Sequence, residues 1–280
     1  MKVRLLTSLG IAIIGIPLLI FSQYIIYPIA LGIVSALAAW ELLRIFGMSK
    51  NAYVAVPTYI FSAACPFFAS DVFVGADRHR DYILILACAA FIYLLFVIFV
   101  SVLGRGKIKN RDISAVYMAV IYETVAFTSL ALLRYMNNGV YVFALVFVGA
   151  WISDTFAFLI GTAIGKHKLI PEVSPNKTIE GSLAGVIFGT AGVMLYGFIV
   201  ERAWGLDANY LTLACIGVSL AVVGQLGDLW GSYIKREYGV KDFSRILPGH
   251  GGIMDRFDSI LSASPVLLMI CTLFPPFTVV

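Results

Sequence analysis

Nine apolar runs, broken only by short polar segments, cover this chain at roughly 5–21, 25–43, 53–70, 82–103, 113–133, 140–163, 181–200, 210–229 and 259–276. About 20 apolar residues in a helix cross the roughly 30 Å of hydrocarbon in a bilayer. With 280 residues that are 60% hydrophobic and 13% charged, no single water-soluble core can hide so much apolar surface. The runs predict an all-α, polytopic integral membrane protein with about nine transmembrane helices. Pro57 and Pro66 interrupt the third run, which a bundle tolerates because neighbouring helices and water satisfy a kinked backbone. Lys2 and Arg4 ahead of the first run are compatible with a secretory signal, but no small-residue cleavage pattern follows, so an uncleaved first helix is expected. The chain then divides into residues 1–112, about four hydrophobic spans, and residues 113–280, about five spans with two polar loops at 165–180 and 230–258.

Charge tests this arrangement. Loops that face the cytoplasm carry an excess of Lys and Arg. With the N-terminus inside, nine spans put all but Arg78, Arg80, Arg134 and Arg202 of the 20 basic residues on the cytoplasmic side. One missed helix would scramble that alternation. The C-terminus is then expected outside, and both long polar loops inside, where nucleoside triphosphates are found. Cys65, Cys88, Cys215 and Cys271 stand singly in apolar runs without metal-ligand spacing, as packing residues do. Gly181, Gly185 and Gly189 recur every fourth position, a pattern for close helix packing.

A carboxylate inside hydrocarbon is costly, so Glu123, Asp154 and Asp228 each need a partner or a polar cavity. Glu123 suits a hydrogen-bonded packing role as well as a functional one. If the eighth helix continues beyond the membrane surface, Asp228, Ser232, Lys235 and Arg236 share one face. A carboxylate, a hydroxyl and two cations together suit a metal ion beside a polyanion, although Lys235 and Arg236 also suit anionic lipid headgroups. Lys241 and Asp242 follow, then a turn in which Gly249, Gly251 and Gly252 surround His250. Such glycines let backbone amides approach phosphate. Asp255 and Asp258 supply the hard oxygen donors that Mg2+ takes, and Arg256 can neutralise phosphate. Asp258 or Ser259 can instead cap the last helix.

Read together, Ser232-x-Ile234-Lys235-Arg236-x4-Lys241-Asp242-x-Ser244-x2-Leu247-Pro248-x-His250-Gly251-Gly252-Ile253-x-Asp255-Arg256-Phe257-Asp258 resembles the signature of phosphatidate cytidylyltransferases. The upstream segment Ser174-Pro175-Asn176-Lys177-Thr178-Ile179-Glu180-Gly181 resembles the same family's second cytoplasmic motif, with Asn176 where Lys is common. The resemblance implies cytidylyl transfer from CTP to phosphatidic acid, giving CDP-diacylglycerol and pyrophosphate, in a homodimer of a bacterial inner or plasma membrane among membrane lipids, with no nucleic acid partner. It implies a metal at Asp228 and Asp255, with Mg2+ and K+ as the candidate ions. Asp228, Ser232, Lys235, Arg236, Lys241, Asp242, His250, Asp255, Arg256 and Asp258 are the expected catalytic group. Asp154, Ser174, Asn176, Lys177, Thr178, Glu180, Gly251 and Gly252 are the expected substrate-binding group. CDP-archaeol synthesis, a CTP-dependent lipid kinase and, from another class, an ion-coupled transporter are the alternatives.

Overall fold

The computed structural model describes residues 13, 15, 17–69, 79–104 and 109–279. Helices dominate: α1 (Ile26–Ile45), α2 (Ala52–Phe68), α3 (His79–Leu103), α4 (Asn110–Tyr135), α5 (Gly139–Ile164), α6 (Ile179–Trp204), α7 (Tyr210–Glu237) and α8 (Met254–Leu273). Seven of these are long and apolar enough to cross a membrane, while α2, with Pro57 and Pro66 inside it, is shorter. The all-α polytopic class stands, but the count of nine is not reached among the described residues. The predicted run at 5–21 lies in part outside them. Large apolar side chains face outward along the helices, with Leu211 78% and Phe158 68% exposed, as a lipid solvent requires.

Local chemistry sets several helix ends. Asn51 and Asn209 accept hydrogen bonds from the Tyr53 and Thr212 amides, capping α2 and α7 at 3.1 Å each. Thr178 caps α6 by accepting from the Gly181 amide at 3.2 Å. Gly205, with φ of 68°, stops α6 in the left-handed conformation that glycine adopts without strain.

Two elements differ from expectation. The segment 165–180 is not a plain loop: β1 (Lys168–Ile170) and β2 (Ser174–Thr178) form an antiparallel hairpin between α5 and α6. A second small sheet pairs β3 (Leu206–Ala208) with β4 (Phe277–Val279), which fastens the end of the chain to the α6–α7 connection. These strands are three to five residues long and too short to leave a clear alternating pattern.

The residues form two compact units, Met1–Tyr135 with Val240–Arg256, and Met136–Gly239 with Phe257–Val280. In the first, Leu43, Val54, Ala55, Tyr93, Val97, Ile113, Val116 and Val120 make a buried cluster. Glu123 sits fully buried there and accepts from Ser62 at 2.6 Å, Ser35 at 3.0 Å and Thr124 at 3.1 Å. This is the hydrogen-bonded packing role. In the second unit, α5 and α6 meet through glycines. A methyl group at Gly181 would lie 2.9 Å from the Gly161 Cα, and one at Gly185 2.9 Å from the Ser153 carbonyl. Only bare backbone permits that approach.

Candidate active site

The sequence-predicted residues gather in two groups. The first belongs to the unit holding Val240–Arg256. Its chain turns sharply at Pro248, with the Leu247 amide donating to the Gly251 carbonyl and the His250 amide to the Leu247 carbonyl, both at 2.9 Å. Gly249 and Gly251 have φ of 77° and 81°, so the turn needs glycine at both positions. Lys241, Asp242, Arg245, the segment Leu247 to Gly251 and Arg256 line an open cleft of about 670 Å³. Three cations against one carboxylate make it suited to a polyanion. His250 belongs to this wall.

Asp255 has a definite local task. Its Oδ2 accepts from the Phe243 amide at 2.8 Å and the Gly252 amide at 3.0 Å, drawing the two ends of the loop together. Helix α8 begins at Met254, five residues earlier than the predicted start at residue 259. Asp258 and Ser259 therefore lie inside the helix and do not cap it. The amides at its start are met by Glu41 of α1, a fully buried residue. Glu41 Oε1 accepts from Ser244 Oγ and, at 2.9 Å, from the Ile253 amide, while Oε2 accepts from the Met254 amide at 2.9 Å.

The second group belongs to the unit of α5, the hairpin, α6 and α7. Helix α7 does continue through Glu237, so Asp228, Ser232, Lys235 and Arg236 ride on one helix as expected. Lys177 of β2 meets Asp228 at 2.7 Å, which joins the upstream motif to α7. Asp154 of α5 accepts from Ser259 at 2.9 Å. Asp258 lies within electrostatic reach of Asp228, Lys235 and Asp154. Three carboxylates and two lysines thus converge from four elements. Gln225, one turn before Asp228, binds Ser182 and Ser153 and braces α7 against α5 and α6.

The hairpin residues divide by role. Thr178 is buried as the α6 cap. Glu180 accepts from the His167 ring at 2.7 Å and the His167 amide at 3.3 Å, closing the hairpin base. Asn176 is exposed and Ser174 half-buried, so both remain accessible to a ligand.

Carboxylates are the donors that Mg2+ prefers, and Asp154, Asp228 and Asp258 are donors of that type. Among the described residues no three His, Cys, Asp or Glu side chains form a ready ligand group, and Lys177 holds Asp228. Of the expected metal pair, Asp228 belongs to the second unit and Asp255 to the first.

Glu41, Arg245, Gln225 and Ser259 were not among the expected site residues. Glu41 lies inside the predicted 25–43 run and carries the same signal as Glu123, an acid among apolar residues. Its hydroxyl partner is 203 positions away, a distance no spacing rule bridges.

The sequence model of the Cytidylyltransferase family matches residues 2–274. A protein of Staphylococcus haemolyticus named Phosphatidate cytidylyltransferase is 34% identical over 268 residues, covering 95% of this chain and 97% of its own length. Proteins of the same name from Staphylococcus epidermidis and Staphylococcus aureus (strain COL) are each 32% identical, over 268 and 269 residues, with the same coverage. With the motifs of both groups in place across a match of this extent, the chain belongs to the cytidylyltransferase family.

Proposed function

We propose that this membrane protein is a phosphatidate cytidylyltransferase, which transfers the cytidylyl group of CTP to phosphatidate and releases pyrophosphate. The relatives that match nearly the whole chain bear that name. The observation that carries the reading is the Lys177–Asp228 pair at 2.7 Å, which joins the upstream motif to α7 just ahead of the signature segment.

The nucleophile is a phosphate oxygen of phosphatidate, which is already ionised near neutral pH. It attacks the α-phosphorus of CTP, and the bond to the bridging oxygen of the β-phosphate breaks. No protein base is needed to create it, so the obstacle is the approach of two polyanions. Such transfer is catalysed chiefly by alignment and by charge placed on the transition state. Lys241, Arg245 and Arg256 line a cleft suited to the triphosphate and the departing pyrophosphate. Lys177 and Lys235 bring positive charge among Asp154, Asp228 and Asp258. Those carboxylates would hold Mg2+, which when bound shields phosphate charge. His250 orients the turn of the cleft, since the reaction asks for no proton transfer from it.

The excess of basic residues in the loops that carry both motifs supports a cytoplasmic active site and N-terminus, with the C-terminus outside. A homodimer belongs to the same reading, and light scattering of the detergent-solubilised protein checks its mass. The function is tested by incubating purified protein with labelled CTP, phosphatidate and Mg2+. Wild type should form a cytidine-bearing lipid and pyrophosphate, and Asp228→Asn should not while remaining folded. An active Asp228→Asn variant would remove that residue from the reaction.

A further inference from the structure

Glu41 has no place in either motif, yet it accepts three hydrogen bonds from the signature segment. It is fully buried near the end of α1, where an uncompensated carboxylate would be strongly unfavourable. Among the described residues, compensation comes from Ser244 Oγ and the amides of Ile253 and Met254. Those amides stand at the start of α8, where the helix has donors with no partner of its own and a positive dipole end. Ser244 in turn accepts from the Ile246 amide at 3.1 Å, so the restraint passes to the residue after Arg245.

Gly252 gives an independent sign that the contact is built in. A methyl group there would run into the Glu41 carboxylate, with its Oε2 at 2.6 Å. The loop backbone lies against the acid, so a Cβ at position 252 would have to displace the Glu41 carboxylate from its hydrogen bonds. Around the same ring of contacts, Asp255 gathers the Phe243 and Gly252 amides. Lys241, Arg245 and Arg256 emerge from the segments so fixed, on either side of the turn, and line one cleft.

We propose that Glu41 is a positioning residue for CTP: by clamping Ser244 and the first amides of α8, it holds Lys241, Arg245 and Arg256 around the cleft that takes the triphosphate. This rests on the function proposed above. Neither Glu41 nor its side chain needs to touch the nucleotide. Loosening the clamp lets the cations disperse, which weakens nucleotide binding while leaving the lipid's own binding unchanged. The clamp is also one device, so its two side chains are not independent.

The test measures steady-state constants for CTP and phosphatidate in detergent micelles for wild type, Glu41→Gln, Ser244→Ala and the double variant. Gln keeps the size of Glu but turns one acceptor into a donor that faces other donors. Glu41→Gln should raise the CTP KM about tenfold or more with the phosphatidate KM within about twofold, and Ser244→Ala should raise the CTP KM less. The double variant should match Glu41→Gln. Hydrogen exchange over residues 243–254 should be faster in each variant, a readout that does not depend on activity. If Glu41→Gln does not accumulate, Ser244→Ala carries the same comparison.

A purely structural role gives another pattern: less active protein with both KM values unchanged, and that result would overturn the proposal. So would unchanged exchange in 243–254, or an equal rise of both KM values. An inactive wild type would refute the proposed function itself, whereas an active wild type with an indifferent Glu41 refutes only the clamp.

Discussion

Helix α7 packs tightly against α8 at Gly227, the residue before Asp228. A methyl group there would stand 2.5 Å from the Asp258 carbonyl oxygen and 2.8 Å from the Ser262 Cβ, and it would collide with the Ser262 hydroxyl. Ordinary contact begins at 3.4 Å, so α7 and α8 must part by roughly 0.9 Å, because a backbone oxygen cannot swing aside as a side chain can. Overpacking of this kind costs about 1–3 kcal/mol, against at most ~1 kcal/mol gained when Ala replaces Gly in a helix. The displacement falls between Asp228 and Asp258, and a misplacement of ~1 Å in a reacting geometry costs about 10²-fold in rate. Gly227→Ala should therefore lose about two orders of magnitude of cytidylyl transfer and lower the detergent melting temperature. One turn away, a methyl at Gly224 would meet Ser259 at 3.5 and 3.6 Å, which is comfortable contact. Gly224→Ala should keep its rate within about threefold and melt at or above the wild-type temperature. A Gly227→Ala protein with wild-type rate and melting, or equal damage from both substitutions, would refute the packing argument.

Three further outcomes are expected. Lys177→Met strips the cation from Asp228, and kcat/KM should fall by about 10²-fold or more, with Lys177→Arg intermediate, as read from initial rates. Removing divalent cations with EDTA should silence the wild type and Mg2+ should restore it, which initial rates before and after dialysis check. Asn209→Ala removes the α7 cap far from the charged groups, so it should reduce stability by about 1 kcal/mol without changing either KM, measured by thermal melting and steady-state assay.

How much of this was legible in the chain depends on the range of the interaction. Helices of 20 residues or more announce themselves through composition, and α4 to α7 fall close to the predicted runs. The face shared by Asp228, Ser232, Lys235 and Arg236 follows from helical phase once α7 is known to reach Glu237. Boundaries set by tertiary contact were hidden. Helix α8 starts at Met254, where Glu41 from a distant helix takes the Ile253 and Met254 amides, and not behind a local cap at Asp258 or Ser259. Short strands such as β3 and β4 exist because their partners lie alongside, and their sequences carry little signal. The three glycines around His250 suggest a phosphate-facing turn. Gly249 and Gly251 do adopt a positive φ, whereas Gly252 lies where a Cβ would meet the carboxylate of Glu41.

Cytidylyl transfer and CTP-dependent phosphorylation of a lipid differ in which phosphorus reaches the product. Parallel reactions with CTP labelled at the α- or the γ-phosphorus, phosphatidate and Mg2+ separate them in one measurement. Label from the α-position should enter the lipid fraction, with γ-label recovered as pyrophosphate. Lipid labelled from the γ-position, or no α-label in lipid from folded protein, would contradict the account.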